Sequence, residues 1–254
     1  MKFLHSVFLG FILSAAASLT SCTDDKDVAP VAGQMTLQLE HVAGSAPLTL
    51  NGTAPYKTAA GDDFTVTTFR YYISNIKLGK ADGTEFVQPE SYYLIDEAKA
   101  DSKIFTIPNV PAGDYTKLTF TIGVDSARNV AGAQTGALAP SDMFWKWDSG
   151  YIYTKLEGRS AQSPSGGILF HIGGFKKPNN TIRTVSPALG SSSIRVRNGS
   201  TPTVHLKADV LKMFTGPNTV RFATLSSTMG GPDAMLIADN QAAGMFTVAH
   251  IQSN

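Results

Sequence analysis

The chain has 254 residues, with 21 Lys and Arg against 20 Asp and Glu and a single cysteine. Charge so nearly balanced excludes a polybasic grip on nucleic acid, and one cysteine excludes an internal disulfide or a thiolate metal cluster. The length suits one large β domain or two small ones, either of them long enough to close a core.

Residues 1–21 read as a signal peptide. Lys2 is their only charge, an apolar run from Phe3 to Leu13 follows, and small residues from Ser14 to Ser18 lead to the cleavage region. The run is too short and wrongly flanked for a spanning helix. Leu19-Thr20-Ser21-Cys22 has the form of a lipobox, which makes Cys22 the lipidation site and leaves no thiol free in the mature chain. Residues 22–33 then form the lipidated cysteine and an acidic linker, Thr23-Asp24-Asp25-Lys26-Asp27. Acidic residues in that place resemble the export signal of surface lipoproteins. The expected location is therefore the outer membrane, at the cell surface or facing the periplasm.

From residue 34 to residue 254 the pattern is one of short alternating runs divided by Gly, Pro, Asn and Asp, which predicts strands. Met35, Leu37, Leu39 and His41 share one parity of the first run. Residues 64–78 are long enough for one bent strand or two in succession. Further strands are predicted at 91–95, 104–107, 115–124, 152–156, 168–172, 194–196, 203–210 and 245–251. Helix is confined to 208–214 and 233–241, the second with Asp233 as its cap. The expected fold is all-β, a β-sandwich of mainly antiparallel strands with short helical turns.

The most unusual stretch is Met143-Phe-Trp-Lys-Trp-Asp-Ser-Gly-Tyr-Ile-Tyr153, which holds both tryptophans and two tyrosines. On one strand Trp145, Trp147, Tyr151 and Tyr153 would share a face. That face could be a core wall, a platform for stacking sugar rings, or an aromatic cluster beside a metal or redox site.

Histidine is the second signal. His41 follows Leu37 and Leu39 in register, His250 follows Phe246 and Val248, and His171 lies in Leu169-Phe-His-Ile-Gly173, so all three are expected to point inward. His205 shares its parity with Lys207 and is expected outside. Two or three imidazoles in an apolar pocket without thiolate suit copper or zinc. Asp125 could serve a hard cation such as calcium, or could be a turn residue bonding to backbone amides. Ser149-Gly150 and Ser160-Ala-Gln-Ser-Pro-Ser-Gly166 lack a nucleophile elbow, Gly173-Gly174 opens no phosphate cradle, and Asp148 with Glu157 defines no acid–base pair. The chain is read as a binding protein, not an enzyme.

Taken in order, several segments resemble the MbnP-like family of exported, copper-associated proteins, related to surface copper binders of methane-oxidising bacteria. They are Leu39-Glu-His41-Val-Ala-Gly44, Phe69-Arg-Tyr-Tyr-Ile-Ser-Asn-Ile-Lys-Leu78, Tyr93-Leu-Ile-Asp96, Val110-Pro-Ala-Gly-Asp-Tyr115 and Phe120-Thr-Ile-Gly-Val-Asp125. The most specific are Met143-Phe-Trp-Lys-Trp-Asp-Ser-Gly-Tyr151, Lys155-Leu-Glu-Gly158 and Phe170-His-Ile-Gly173. The resemblance implies copper held by histidines together with a tryptophan oxidised to kynurenine, the oxidation being done by a partner like a dihaem cytochrome c peroxidase. His41 and His171 match family histidines, and His250 is a third candidate ligand by register. Trp145 and Trp147 are the two sources of kynurenine, with no choice between them. The expectation is that these imidazoles and an indole converge on one enclosed pocket. The alternative is a glycan-binding surface lipoprotein using the aromatic platform.

Overall fold

The computed structural model describes residues 32–132, 134–146 and 148–253. The signal peptide, Cys22, the linker up to Val31 and the side chain of Trp147 lie outside these residues. In chain order the strands are β1 (Ala32–Ala43), β2 (Ala46–Pro47), β3 (Tyr56–Lys57), β4 (Asp63–Lys80), β5 (Glu85–Val87), β6 (Tyr92–Asp96), β7 (Ile104–Pro111) and β8 (Gly113–Ile122). After the short helix α1 (Ser126–Asn129) come β9 (Phe144–Lys146), β10 (Gly150–Arg159), β11 (Gly167–Gly173), β12 (Arg183–Val185), β13 (Ile194–Val196) and β14 (Thr203–Asp209). β15 (Ser227–Thr228), helix α2 (Gly231–Gly244) and β16 (Phe246–Gln252) complete the chain.

The strands form two sheets. The smaller runs β16-β14-β1-β2, with β7 also on β1, and the larger runs β12-β8-β4-β10-β11-β15 with shorter strands alongside. Met35, Leu37 and Leu39 of β1 and Val204 and Leu206 of β14 share one buried cluster with Phe69, Tyr71 and Ile73 of β4, Leu156 of β10 and Phe170 of β11. This is the expected all-β sandwich, its core lying between the two sheets. Two pairings, β1 with β14 and β11 with β15, are parallel. Their partners are far apart in sequence, so no tight hairpin dictates the direction.

Residues 64–78 belong to one long strand, bent where its register on β8 shifts between Ser74 and Lys77, with Asn75 at a φ of 53°. The helix predicted at 208–214 is instead the end of β14 and one 3-10 turn, Val210–Met213, whose Leu211 N–H is accepted by the Asp209 carboxylate at 3.0 Å. α2 starts earlier than predicted, with Gly230 as its cap and Asp233 in its first turn.

The larger sheet is covered on its second face as well. Tyr72 of β4 and Tyr151 and Tyr153 of β10 pack there with Val124, Leu138 and Met143. Asn129, fully buried, ties this layer together. Its side-chain amide donates to Val124 O and to the Tyr153 hydroxyl, both at 2.9 Å, while its carbonyl oxygen accepts the Tyr151 N–H at 2.9 Å. A bonded buried amide of this kind costs more to remove than it contributes as a simple sum, because its partners lose water and find no substitute.

Candidate functional site

β1 aims His41 into the core by the alternation expected of its sequence. β7 pairs with β1 as far as Gln38, and the pairing of β1 with β2 starts at Val42, so no strand covers the edge of β1 between them. Residues after β6 and the turn Ala100–Lys103 border this opening. His41 is 3% exposed, and its ring lies edge-on against Phe69 and Tyr71 of β4. Its Nδ1 is 2.6 Å from Glu97 Oε2 and its Nε2 is 2.8 Å from the Tyr71 hydroxyl. The carboxylate can only accept, so Nδ1 carries the proton, and Nε2 accepts from Tyr71. Burial holds the His41 pKa below its ordinary value, outweighing the opposing pull of Glu97. Burial pushes the Glu97 carboxyl up, but hydrogen bonds from His41 and from Lys103, 2.8 Å away, outweigh it and hold the carboxyl low. Both nitrogens of His41 are thus committed to protein partners.

β11 does something different with His171. Arg70 of β4, Lys155 of β10 and His171 are opposite one another in register, one residue out of step with Tyr71 and Leu156 of the core. His171 therefore leaves the sheet on the face away from His41. It is buried all the same, because a charged layer covers it. Its Nε2 is 2.8 Å from Glu157 Oε1. Glu157 is also bonded by the Thr68 hydroxyl at 3.2 Å. Lys155 and Arg70 both reach Asp142, at 3.0 and 2.8 Å, and Arg70 pairs with Asp96 at 3.1 Å. With the Nε2 proton given to Glu157, the lone pair of Nδ1 is uncommitted among the described residues. One ring nitrogen held by a carboxylate and the other free is the arrangement that orients a metal-binding histidine.

Trp145 lies on this same face. A Cβ placed on Gly173 would stand 2.7 Å from the Trp145 ring and 2.6 Å from Tyr151 O, so only glycine admits the indole there. Gly173 and His171 are two residues apart on a regular part of β11, hence about 7 Å apart on one face. Trp145 and Gly173 line an open cleft of about 270 Å³ together with Lys176, Lys177 and Met229.

The expected single pocket is therefore divided. His171 and Trp145 share the outer face of the larger sheet, and His41 is between the sheets. His250 is corrected as well: it is exposed, not inward. β14 pairs Leu206 with Val248 but His205 with His250, which leaves Ala249 as a bulge and turns His250 to the outside. Among the described residues no three His, Cys, Asp or Glu side chains form a group able to hold a metal ion. Asp125 takes the turn role. Its carboxylate accepts the Arg128 N–H at 3.1 Å and the Tyr92 hydroxyl at 2.5 Å, the bonds of a capping turn residue.

The aromatic stretch is a hairpin of β9 and β10, not one strand. Tyr151 and Tyr153 are 0% and 1% exposed, which removes them from any flat sugar-stacking platform. Sequence reasoning missed Glu97, Tyr71 and Glu157, the partners that decide what each histidine can do. Only the histidines themselves were visible, since their partners come from other segments of the chain.

The MbnP family profile matches residues 32–230. The chain belongs to the MbnP family. A solved structure, MbnP from Methylosinus trichosporium, is similar with a TM-score of 0.54 at 15% identity, covering 87% of this chain and 98% of that one. At that identity the likeness concerns the fold. Comparison with curated proteins finds no match. The family match spans β1 to the edge of α2, so in this MbnP-family chain His41, Trp145 and His171 all fall inside it, and His250 falls outside.

Proposed function

We propose that this protein is a copper-binding exported lipoprotein without turnover of its own, anchored through Cys22 and engaged in acquiring or handling the metal. The observation that carries the reading is the state of His171: Nε2 pinned by Glu157, Nδ1 free, and the Trp145 indole on the same face next to Gly173. An intact indole offers copper no good donor. Kynurenine supplies an aniline nitrogen and a carbonyl, and copper would then be held by His171 Nδ1 and the modified Trp145. The need for that second ligand accounts for the lack of a preassembled ligand group among the described residues. The open cleft that Trp145 lines gives an oxidising partner, like a dihaem cytochrome c peroxidase, a route to the ring.

The test is a copper titration under reducing conditions of protein produced with and without such a partner, alongside peptide mass measurement. The expected result is oxidation confined to the Trp145 peptide, and tight copper binding only in the oxidised material and lost in His171→Ala. Tight binding unaffected by His171→Ala, or none after oxidation of Trp145, overturns the reading.

A further inference from the structure

The bulge at Ala249 exchanges His250 for Ile251 on the inner face, so that Ile251 follows Phe246 and Val248 into the core. In the same step it brings His250 beside His205 on the outer face. The two rings are face to face, with centroids 4.0 Å apart and planes 14° from parallel. They stand directly opposite on adjacent strands, where side chains approach most closely. His205 Nε2 is shielded from solvent and has no hydrogen-bond partner among the described residues. Gln38 of β1 is opposite His205 on its other side, so Gln38, His205 and His250 form a row across three strands. The row borders a cleft of about 700 Å³ that Glu40, Glu97, Lys103 and Lys207 also line.

We propose that His205 and His250 are a binding site for a borderline divalent transition metal ion such as Zn²⁺, separate from the His171 face. Two imidazoles and no thiolate select this class of ion, and bond lengths of about 2.0–2.1 Å to nitrogen match a pair of rings this close once they turn about Cβ–Cγ toward a common point. The Gln38 side-chain oxygen is a third donor in the same row, and water from the open cleft completes the shell. The carboxylates of Glu40 and Glu97 offset Lys103 and Lys207, so these side chains set no net positive charge against a cation in the cleft. A bulge that re-aims one side chain onto another is the kind of irregularity that sheets keep next to sites.

The experiment is titration of the purified protein with Zn²⁺ against a chromogenic chelator, repeated with His205→Ala, His250→Ala and His171→Ala. His250 is exposed, so its replacement leaves the fold intact and keeps the test decisive if His205→Ala is unstable. The expected result is one bound equivalent, weakened about tenfold or more by replacing either cleft histidine and unchanged by His171→Ala. No bound equivalent in the parent protein, a smaller effect from replacing His250, or loss on replacing His171 overturns the proposal. The copper reading is untouched by any of these outcomes, because its own test uses His171 and oxidised Trp145.

Discussion

His41 and His171 start from similar sequence surroundings, each an imidazole within an apolar run, and end with opposite capacities. His41 faces the inter-sheet core, where Glu97 and Tyr71 take both nitrogens. His171 leaves the other face of the larger sheet, where Glu157 takes one nitrogen and the second stays free. Burial alone does not separate them, since both are under a tenth exposed. The difference is in how many partners the neighbouring strands bring, and it teaches that a buried histidine is a structural member or a ligand according to its second nitrogen.

That comparison can be broken by substitution. His41→Ala leaves Glu97 and the Tyr71 hydroxyl unmatched in the interior, and the expected loss is about 2–4 kcal/mol of unfolding free energy in urea, with copper binding by the oxidised protein retained. Equal copper loss in His41→Ala and His171→Ala would reverse the assignment of roles. Gly173→Ala pushes a methyl group into the Trp145 ring and the Tyr151 carbonyl. Overpacking of this kind costs about 1–3 kcal/mol, and tryptophan emission should move to the red as the indole is displaced. His171→Ala should change stability by less than about 1 kcal/mol, because Glu157 keeps Thr68 and a half-open surface. Its copper affinity should fall at least about tenfold.

Acid sharpens the contrast further. The folded His41 pKa is below the ordinary value of 6.5. Below pH 6.5 the unfolded chain gains a proton that the folded chain resists, so stability present above that pH is lost as the pH falls, until His41 is protonated in the folded state too. Urea midpoints measured downward from pH 6.5 should fall in the parent protein and fall less steeply in His41→Gln. An equal slope in both would show that His41 is not the group responsible.

Much of this could be read from the residues. The alternation Met35, Leu37, Leu39, His41 correctly put His41 inside, and short runs between turn residues correctly announced a sandwich. The same parity rule failed at His250, because a single bulged residue reverses every later side chain. It failed too for Trp145 through Tyr153, where Ser149-Gly150 turns the chain into a hairpin, so that Trp145 reaches the cluster of Tyr151 and Tyr153 from a second strand and not from one continuous face. The bulge at Ala249 leaves no mark in the local composition, whereas Ser149-Gly150 is a turn signal that the alternating aromatic pattern masked.

The sequence by itself determined the family, the strand-rich fold, and the identities of the histidines and aromatic residues available for chemistry, because these follow from local periodicity and ordered motifs. Tertiary structure alone decided which histidines meet which carboxylates, which face of the larger sheet carries Trp145, and that His205 stands against His250. Those outcomes depend on register between strands far apart in the chain, and register is settled by packing over the whole sheet, where a shift of one residue exchanges inside for outside.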